Sequence, residues 1–286
     1  MHEGLSWLRD REDGRRWLDR LPGIVERCSE RWSLTPGEPF EYSFASLALP
    51  AERADGEPVV LKVQFPDRES EHEAAALRHW NGDGAVRLLD HDPEQHALLL
   101  ERCEPGSHLS SIDSDEALGV VIGLLPRLWV SVGEPFGTLV DEAAWWAGDL
   151  VGTWERAGRP FERRLLDEAM EALRELPDTQ GEQVLVHQDL HADNVLAARR
   201  EPWLVIDPKP LIGEREFALA PLIRSYELGG RREDVLGRLH RLTSELGLDR
   251  ERARLWGIAQ TIAWGLDEEG ISPNHLATAR WLSGSD

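Results

Sequence analysis

Two aspartates and an asparagine stand among short apolar runs in the middle of the chain. Asp189 follows the run 184–186, Asn194 lies five residues after Asp189, and Asp207 ends the run 203–206 eighteen residues after it. Apolar runs of three or four residues bounded by polar residues favour strands over helices. The fold must therefore contain a small hairpin-like insert that carries these three polar side chains.

The same three residue types, at this spacing, are those that phosphoryl transfer needs. A carboxylate must orient the attacking hydroxyl and accept its proton, while an amide and a second carboxylate hold magnesium against the phosphates. The catalytic loop of kinases has the same five-residue spacing between its Asp and its Asn. The central segment therefore favours a phosphotransferase.

The chain before this segment alternates strands with helices. The first 35 residues predict two helices, the second beginning at Pro22. Alternating residues over 40–48, the turn signal Asp55-Gly56 and the apolar run 59–63 predict an antiparallel hairpin. A further helix and two strands are predicted at 67–80, 85–89 and 97–102.

Beyond the breaker residues 103–107, which predict a connector, the pattern becomes helical. Helices are expected at 115–132, 141–157 and 161–176, and again from residue 214 onward. Strands around one helix, followed by helices around a small insert, predict an α+β fold of two lobes. We place them at 1–102, small and β-rich, and 103–286, larger and mostly helical.

The composition limits the partners. The formal net charge of -21 argues against nucleic acid and anionic membranes and would attract a cationic ligand, although acidity also simply favours solubility. No apolar stretch approaches the roughly 18 residues of a membrane span, and no secretory signal is visible. Cys28 and Cys103 are the only cysteines, too few for a disulfide framework or a cysteine metal site. A reducing cytoplasm fits best, and the oligomeric state stays open.

Lysine is rare in this chain. Lys62 and Lys209 are the only two lysines, so arginine supplies nearly all of the 32 basic residues. An ammonium is a compact point charge and a guanidinium a planar fork, so some sites accept only one of them. We therefore expect these two lysines at positions where arginine does not serve.

Residues 184–214 resemble the streptomycin and hydroxyurea kinase family of the aminoglycoside phosphotransferase superfamily. The resemblance is carried by Leu190-His191, Asn194-Val195-Leu196, Glu201-Pro202-Trp203 and Ile206-Asp207-Pro208-Lys209-Pro210. It implies a bilobal protein-kinase-like fold, ATP and Mg²⁺ as cofactors, and phosphorylation of a small-molecule hydroxyl. The implied acceptor is an aminoglycoside-type antibiotic such as streptomycin, which would connect the chain with antibiotic resistance.

The resemblance also implies roles for individual residues. Asp189 would be the catalytic base, with Asn194 and Asp207 as magnesium ligands. Lys62 would contact the phosphates, and Glu73 would pair with it, Glu69 and Glu71 being the alternatives. The connector whose backbone holds adenine would include Glu101 and Cys103.

Three departures from the family pattern are visible. Residues 41–46 stand where relatives have the phosphate loop but contain no glycine. Gln188 replaces the usual glycine before the base. Ala218 stands where many relatives carry an aspartate that supports the catalytic loop.

The acceptor site is the least determined part. Asp267, Glu268 and Glu269 follow a predicted helix and are the leading candidates for binding a cationic acceptor, against the alternative of a solvated helix end. Lys209 could serve substrate or phosphate, or form a structural pair with a nearby acid.

Other functions compete with an antibiotic kinase. A kinase for an amino sugar or another metabolite would share all of these ATP-binding groups. A nucleotide-binding pseudokinase is disfavoured because none of the four groups Lys62, Asp189, Asn194 and Asp207 is missing. A metal hydrolase built on His187, Asp189 and His191 has too few further ligands and leaves Lys62 unexplained.

Overall fold

The computed structural model describes residues 3–41 and 45–284, which group into two units. The first unit consists of Met1–Gly106 with Ala197–Leu204, and the second of Ser107–Leu196 with Val205–Asp286. The lobe limits predicted from the sequence remain a prediction. Residues 42–44, part of the expected phosphate loop, lie outside the described residues.

The elements of the first unit are a 3₁₀ helix Glu3–Asp10, α1 Glu12–Trp32, β1 Leu34–Pro36, β2 Ser46–Arg53, β3 Pro58–Gln64, α2 Glu73–Trp80, β4 Leu88–Asp92 and β5 Ala97–Glu101. The strands form an antiparallel sheet in the order β1-β2-β3-β5-β4. The predicted hairpin around Asp55-Gly56 is confirmed as β2 and β3, with Gly56 at a φ of 85°. Its first strand begins later than the sequence predicts.

Helix α1 runs through Pro22, so the prediction of a new helix at this residue is wrong. Proline removes one helical hydrogen bond, but Pro22 lies on the exposed side. The opposite face, with Trp17, Leu21 and Ile24 among its buried residues, belongs to the core of the sheet. Tertiary packing of this apolar stripe maintains the helix through the proline.

Helix α2 is shorter than predicted and begins at Glu73. The carboxylate of Asp67 accepts hydrogen bonds from the backbone N–H groups of Glu69 and Ser70, at 2.9 and 2.8 Å. This side-chain turn competes with a helical turn, so residues 67–70 stay outside the helix.

The second unit is mostly helical. Its elements are α3 Ser114–Leu128, α4 Leu139–Arg156, α5 Arg163–Glu175, β6 Gln183–His187, β9 Pro210–Glu214, α6 Ala220–Ile223, α7 Arg232–Leu246, α8 Arg250–Gly265, β10 Leu266–Asp267, β11 Gly270–Ile271 and α9 Pro273–Ser283. The three helices predicted before residue 177 are confirmed. Helix α8 packs against α5, α6, α7 and α9 and contains the fully buried Trp256, so it lies at the centre of this unit.

Between β6 and β9 the chain forms the predicted hairpin-like insert. Its strands are β7 Val195–Ala197 and β8 Trp203–Val205. The pairing of β6 with β9, which the sequence did not predict, places His187 opposite Pro210. Both ends of the insert are thereby held by an antiparallel pair.

Among the described residues, none of the helices has both the length and the apolar character of a membrane span.

The tip of the insert, residues 197–204, belongs to the first unit, where Arg200 holds it. Its guanidinium forms an ion pair with Glu101 at 2.8 Å and donates to the carbonyl oxygens of Gly82 and Ala85 at 2.6 and 2.9 Å. A guanidinium presents five N–H donors in a planar fork, whereas an ammonium presents three from a single atom. Arg200 therefore joins the tip to the end of β5 and to the loop before β4.

We expect Arg200→Lys to lower the midpoint of thermal unfolding, because it keeps the charge but loses several of these hydrogen bonds. The free energy of unfolding should fall by on the order of 1–3 kcal/mol. Arg199→Lys is the control: Arg199 is the next residue, pairs with Glu104 and is 81% exposed. Equal effects of the two substitutions would show that the fork of Arg200 is not a structural requirement.

Candidate active site

Lys62 and Glu73 form a buried ion pair in the first unit. Lys62 lies on the central strand β3, and its Nζ is 2.6 Å from Oε2 of Glu73, the first residue of α2. Gln64 Nε2 donates to the same oxygen at 2.7 Å. Of the three candidate glutamates, Glu73 is thus the one that pairs with Lys62. The second partner on the carboxylate compensates part of the cost of burying the pair.

Of the predicted connector residues, Glu101 is the last residue of β5 and Cys103 lies two residues beyond it. Burial alone would raise the pKa of Glu101, but its hydrogen bonds with Arg200 and with the backbone N–H of Arg87 lower it below the usual value. Burial raises the pKa of the Cys103 thiol to about 12. The side chain of Glu101 thus has a structural task, and the adenine role of this backbone stays a prediction.

The loop after β6 carries Asp189 and is held by its own residues. His187 Nδ1 accepts the backbone N–H of Asp189 at 3.1 Å, and His187 Nε2 lies 3.3 Å from the carbonyl oxygen of Ile206. Asn194 Nδ2 donates to the carbonyl oxygen of Asp189 at 2.9 Å. Both backbone polar groups of Asp189 are therefore bonded within the motif.

Two cations face the carboxylate of Asp189. Lys209 Nζ donates to Oδ2 at 2.9 Å, and Arg224 Nη2 lies 3.9 Å from Oδ1. Both cations also lie over the indole ring of Trp264, at 5.1 and 4.9 Å from its centroid. The second rare lysine thus contacts the predicted catalytic base.

A backbone hydrogen bond brings the segments of Asn194 and Asp207 together. The N–H of Ile206 donates to the carbonyl oxygen of Asn194 at 2.9 Å, and Asp207 is the next residue. Asp207 has a φ of 51°, a left-handed conformation that aspartate tolerates better than most residues. An amide oxygen and a carboxylate are the hard oxygen donors that magnesium prefers, so these residues fit such an ion.

A second polar cluster forms around His191 and Asp193, which follow Asp189 in the chain. His191 Nδ1 is 2.9 Å from Glu227 Oε1, and Ser110 Oγ donates to the carboxylate of Asp193. Burial would raise the pKa of Glu227, but the His191 and Ser225 hydrogen bonds lower it to about 2. Burial would lower the pKa of His191, but Glu227 and the nearby aspartates raise it. A protonated His191 therefore forms an ion pair with Glu227.

The predicted acceptor residues lie at the turn between β10 and β11. Asp267 accepts the backbone N–H groups of Glu269 and Gly270, at 2.8 and 3.0 Å. Glu268 pairs with Arg156 at 2.9 Å. Two of the three carboxylates are thus engaged with the protein, and the role of all three in acceptor binding stays a prediction.

Sequence reasoning did not find Arg224, Gln260 or Trp264. Nothing in their local sequence distinguishes them, because they reach the loop from distant parts of the chain: Gln260 and Trp264 lie on α8, and Arg224 directly follows α6. Lys209 was detectable from its rarity and its position after Asp207, although its partner was not.

Three comparisons bear on this geometry. A family model described as aminoglycoside/hydroxyurea antibiotic resistance kinase matches residues 31–268. Streptomycin 6-kinase of Streptomyces griseus is 40% identical over 95% of this chain and 92% of its own length. Hydroxyurea phosphotransferase of Kitasatospora aureofaciens is 44% identical over 95% of this chain and 81% of its own length.

Among solved structures, a thermostable mutant of aminoglycoside phosphotransferase APH(4)-Ia matches with a TM-score of 0.60 at 16% identity. The match covers 90% of this chain and 94% of that one. At this identity the likeness concerns the fold alone. The predicted α+β, protein-kinase-like fold is thereby confirmed.

His187 generates a prediction about stability and pH. Burial lowers its pKa to about 4, more than the neighbouring Asp189 carboxylate can offset. Between about pH 6.5 and 4 the unfolded chain then binds a proton at this residue that the folded chain does not. We expect acidification over this range to remove up to about 3 kcal/mol of stability through His187.

The measurement is the free energy of unfolding in urea at several pH values, for the parent and for His187→Gln. Below pH 6.5 the free energy of unfolding should fall less steeply with pH in the variant than in the parent. The difference in slope should correspond to at most one bound proton. His240→Gln, at an exposed histidine of α7, is the matched control. Identical slopes for the parent and His187→Gln would contradict the assignment.

Proposed function

The chain belongs to the aminoglycoside/hydroxyurea antibiotic resistance kinase family and is a phosphotransferase, and we propose that it transfers the γ-phosphoryl group of ATP to a hydroxyl of a streptomycin-type aminoglycoside. The observation that carries this proposal is the loop in which the backbone of Asp189 is bonded by His187 and Asn194. A fixed carboxylate beside residues that fit a metal is what phosphoryl transfer to an alcohol requires.

In this proposal Asp189 accepts the proton of the acceptor hydroxyl while that oxygen forms its bond to the γ-phosphorus. The bond from the γ-phosphorus to the bridging oxygen breaks, and ADP leaves. Lys62, paired with Glu73, contacts the phosphates as a compact cation. Asn194 and Asp207 would hold Mg²⁺, which neutralises phosphate charge when bound.

The acceptor is proposed from two supporting arguments. Two relatives of similar length act on streptomycin and on hydroxyurea, as their names state. The net charge of -21 favours a cation, and streptomycin carries guanidinium groups. Hydroxyurea is the second candidate acceptor, because the relative with 44% identity is a hydroxyurea phosphotransferase.

The deciding experiment is a screen of ADP release with streptomycin, other aminoglycosides, hydroxyurea and amino sugars. Mass spectrometry must then show a product heavier by one phosphoryl group. Phosphorylation of streptomycin supports the proposal, and phosphorylation of hydroxyurea alone supports the second candidate. Turnover only with amino sugars would identify a metabolite kinase, and no turnover at all would indicate a pseudokinase.

Asp189→Asn should keep ATP binding but lower turnover by about 10²–10⁴-fold, because an amide cannot accept the hydroxyl proton. Turnover with the best acceptor and ATP affinity are measured together. Asp167→Asn makes the same change at an exposed ion pair of α5 and is the control. Turnover of Asp189→Asn within threefold of the parent would exclude the residue as base.

Asp207→Asn should raise the magnesium concentration needed for ATP binding by about tenfold or more, because a neutral amide binds the ion more weakly than a carboxylate. Asparagine also tolerates the left-handed backbone of this position, so the fold should persist. Calorimetric titration with a non-hydrolysable ATP analogue at several magnesium concentrations measures the effect. An unchanged magnesium requirement would remove Asp207 from the metal site.

A further inference from the structure

Gln260 connects the catalytic loop to the central helix of its unit. It lies on α8, has 0% exposure, and donates from Nε2 to the carbonyl oxygen of Gln188 at 2.7 Å. Its Oε1 accepts from Arg224 Nη1, also at 2.7 Å. A carbonyl can only accept and a guanidinium can only donate, so the orientation of this amide is unambiguous.

The peptide unit between Gln188 and Asp189 is therefore held at both ends. Its carbonyl oxygen receives the Gln260 amide, and its N–H, which belongs to Asp189, is bonded to His187 Nδ1. The N–H of Gln188 is bonded in turn to the carbonyl oxygen of Lys209 at 3.0 Å. Because a peptide unit is planar, bonds at both ends fix its orientation, and the Asn194 hydrogen bond to the Asp189 carbonyl oxygen restrains the next peptide unit. Together these bonds limit the directions in which the Asp189 side chain can leave the backbone.

Gln260 also acts on the carboxylate end of Asp189. Its partner Arg224 is buried, with a side chain 8% exposed, and reaches to within 3.9 Å of Asp189 Oδ1. Trp264, one helical turn after Gln260, lies against the same guanidinium. One face of α8 thus touches both the backbone before Asp189 and the cation beside its side chain.

The departure at position 218 concerns the same loop. The resemblance predicts an aspartate there that supports the catalytic loop, whereas Ala218 is buried and its methyl group can neither donate nor accept a hydrogen bond. The polar support in this chain comes instead from α8, more than forty residues later in the sequence.

We propose that Gln260 is a positioning residue for the catalytic base, holding the Gln188–Asp189 peptide unit and Arg224 in the arrangement that aims the Asp189 carboxylate at the acceptor. The proposal rests on the proposed function for the identity of the base. It assigns to Gln260 no contact with substrate or nucleotide.

The test compares three variants. Gln260→Leu removes both hydrogen bonds at similar volume, whereas Gln260→Glu keeps an acceptor for Arg224 but cannot donate to the Gln188 carbonyl. Thr261→Val is the control, because it removes a fully buried hydroxyl from the adjacent position of α8. The readouts are kcat and KM for ATP and for the best acceptor, and hydrogen exchange of peptides covering residues 186–196.

We expect kcat to fall about 10–100-fold in both Gln260 variants with both KM values within threefold, since small misplacements of a catalytic group cost this much. Exchange in 186–196 should become faster in both variants and stay at the parental rate in Thr261→Val. Parental kcat in a folded Gln260→Leu, or an equal loss in Thr261→Val, would overturn the proposal. Should Gln260→Leu not fold, Gln260→Glu decides by the same criteria.

The experiment separates this inference from the proposed function. If the parent phosphorylates none of the acceptors, the proposed function fails, and hydrogen exchange still decides whether Gln260 holds the loop. Unchanged exchange in both Gln260 variants would overturn the positioning role even in an active kinase.

Discussion

The pairing of β6 with β9 is the constraint on which the candidate site depends. Its register sets His187 opposite Pro210, so that the residues after β6 and those before β9 leave the pair side by side. This is why Lys209, twenty residues after Asp189, can reach its carboxylate. The intervening insert can bring Asn194 and Asp207 together because both of its ends are fixed. The five residue pairs of this strand pairing thus position the polar side chains of the candidate site that lie in the second unit.

Sequence patterns predicted the features that depend on local information. The long helices of the second unit have a clear 3.6-residue period, and the hairpin at Asp55-Gly56 has an explicit turn signal. The pairing of Lys62 with Glu73 followed from a resemblance, and the geometry agrees with it. Predictions failed where packing or a side-chain turn overrides local propensity, as at Pro22, where the apolar face of α1 continues through the proline, and at Asp67, which delays α2.

The support of the loop that carries Asp189 could not be predicted from the sequence, for a different reason. Gln260 lies on α8 and Arg224 directly follows α6, and only the folded chain shows that Gln260 contacts both Arg224 and Gln188. Ala218 indicated that the expected supporting aspartate is absent, but it did not indicate which residue supports the loop instead. A buried amide between a carbonyl and a guanidinium must donate to the first and accept from the second, and its neighbours in sequence do not reveal this need. Such residues are found by following each hydrogen bond of the loop to its partner.

The hairpin tip held by Arg200 has a consequence for dissecting this protein. Residues 197–204 group with the first unit although the sequence on both sides belongs to the second, so the chain changes units three times. A single cut therefore yields no fragment that consists of one whole unit and nothing else. A piece ending at residue 106 would lack the guanidinium that holds Glu101, and the complementary piece would carry a hairpin tip without its acceptors. Split reporters or circularly permuted forms should keep 197–204 and 1–106 in one polypeptide.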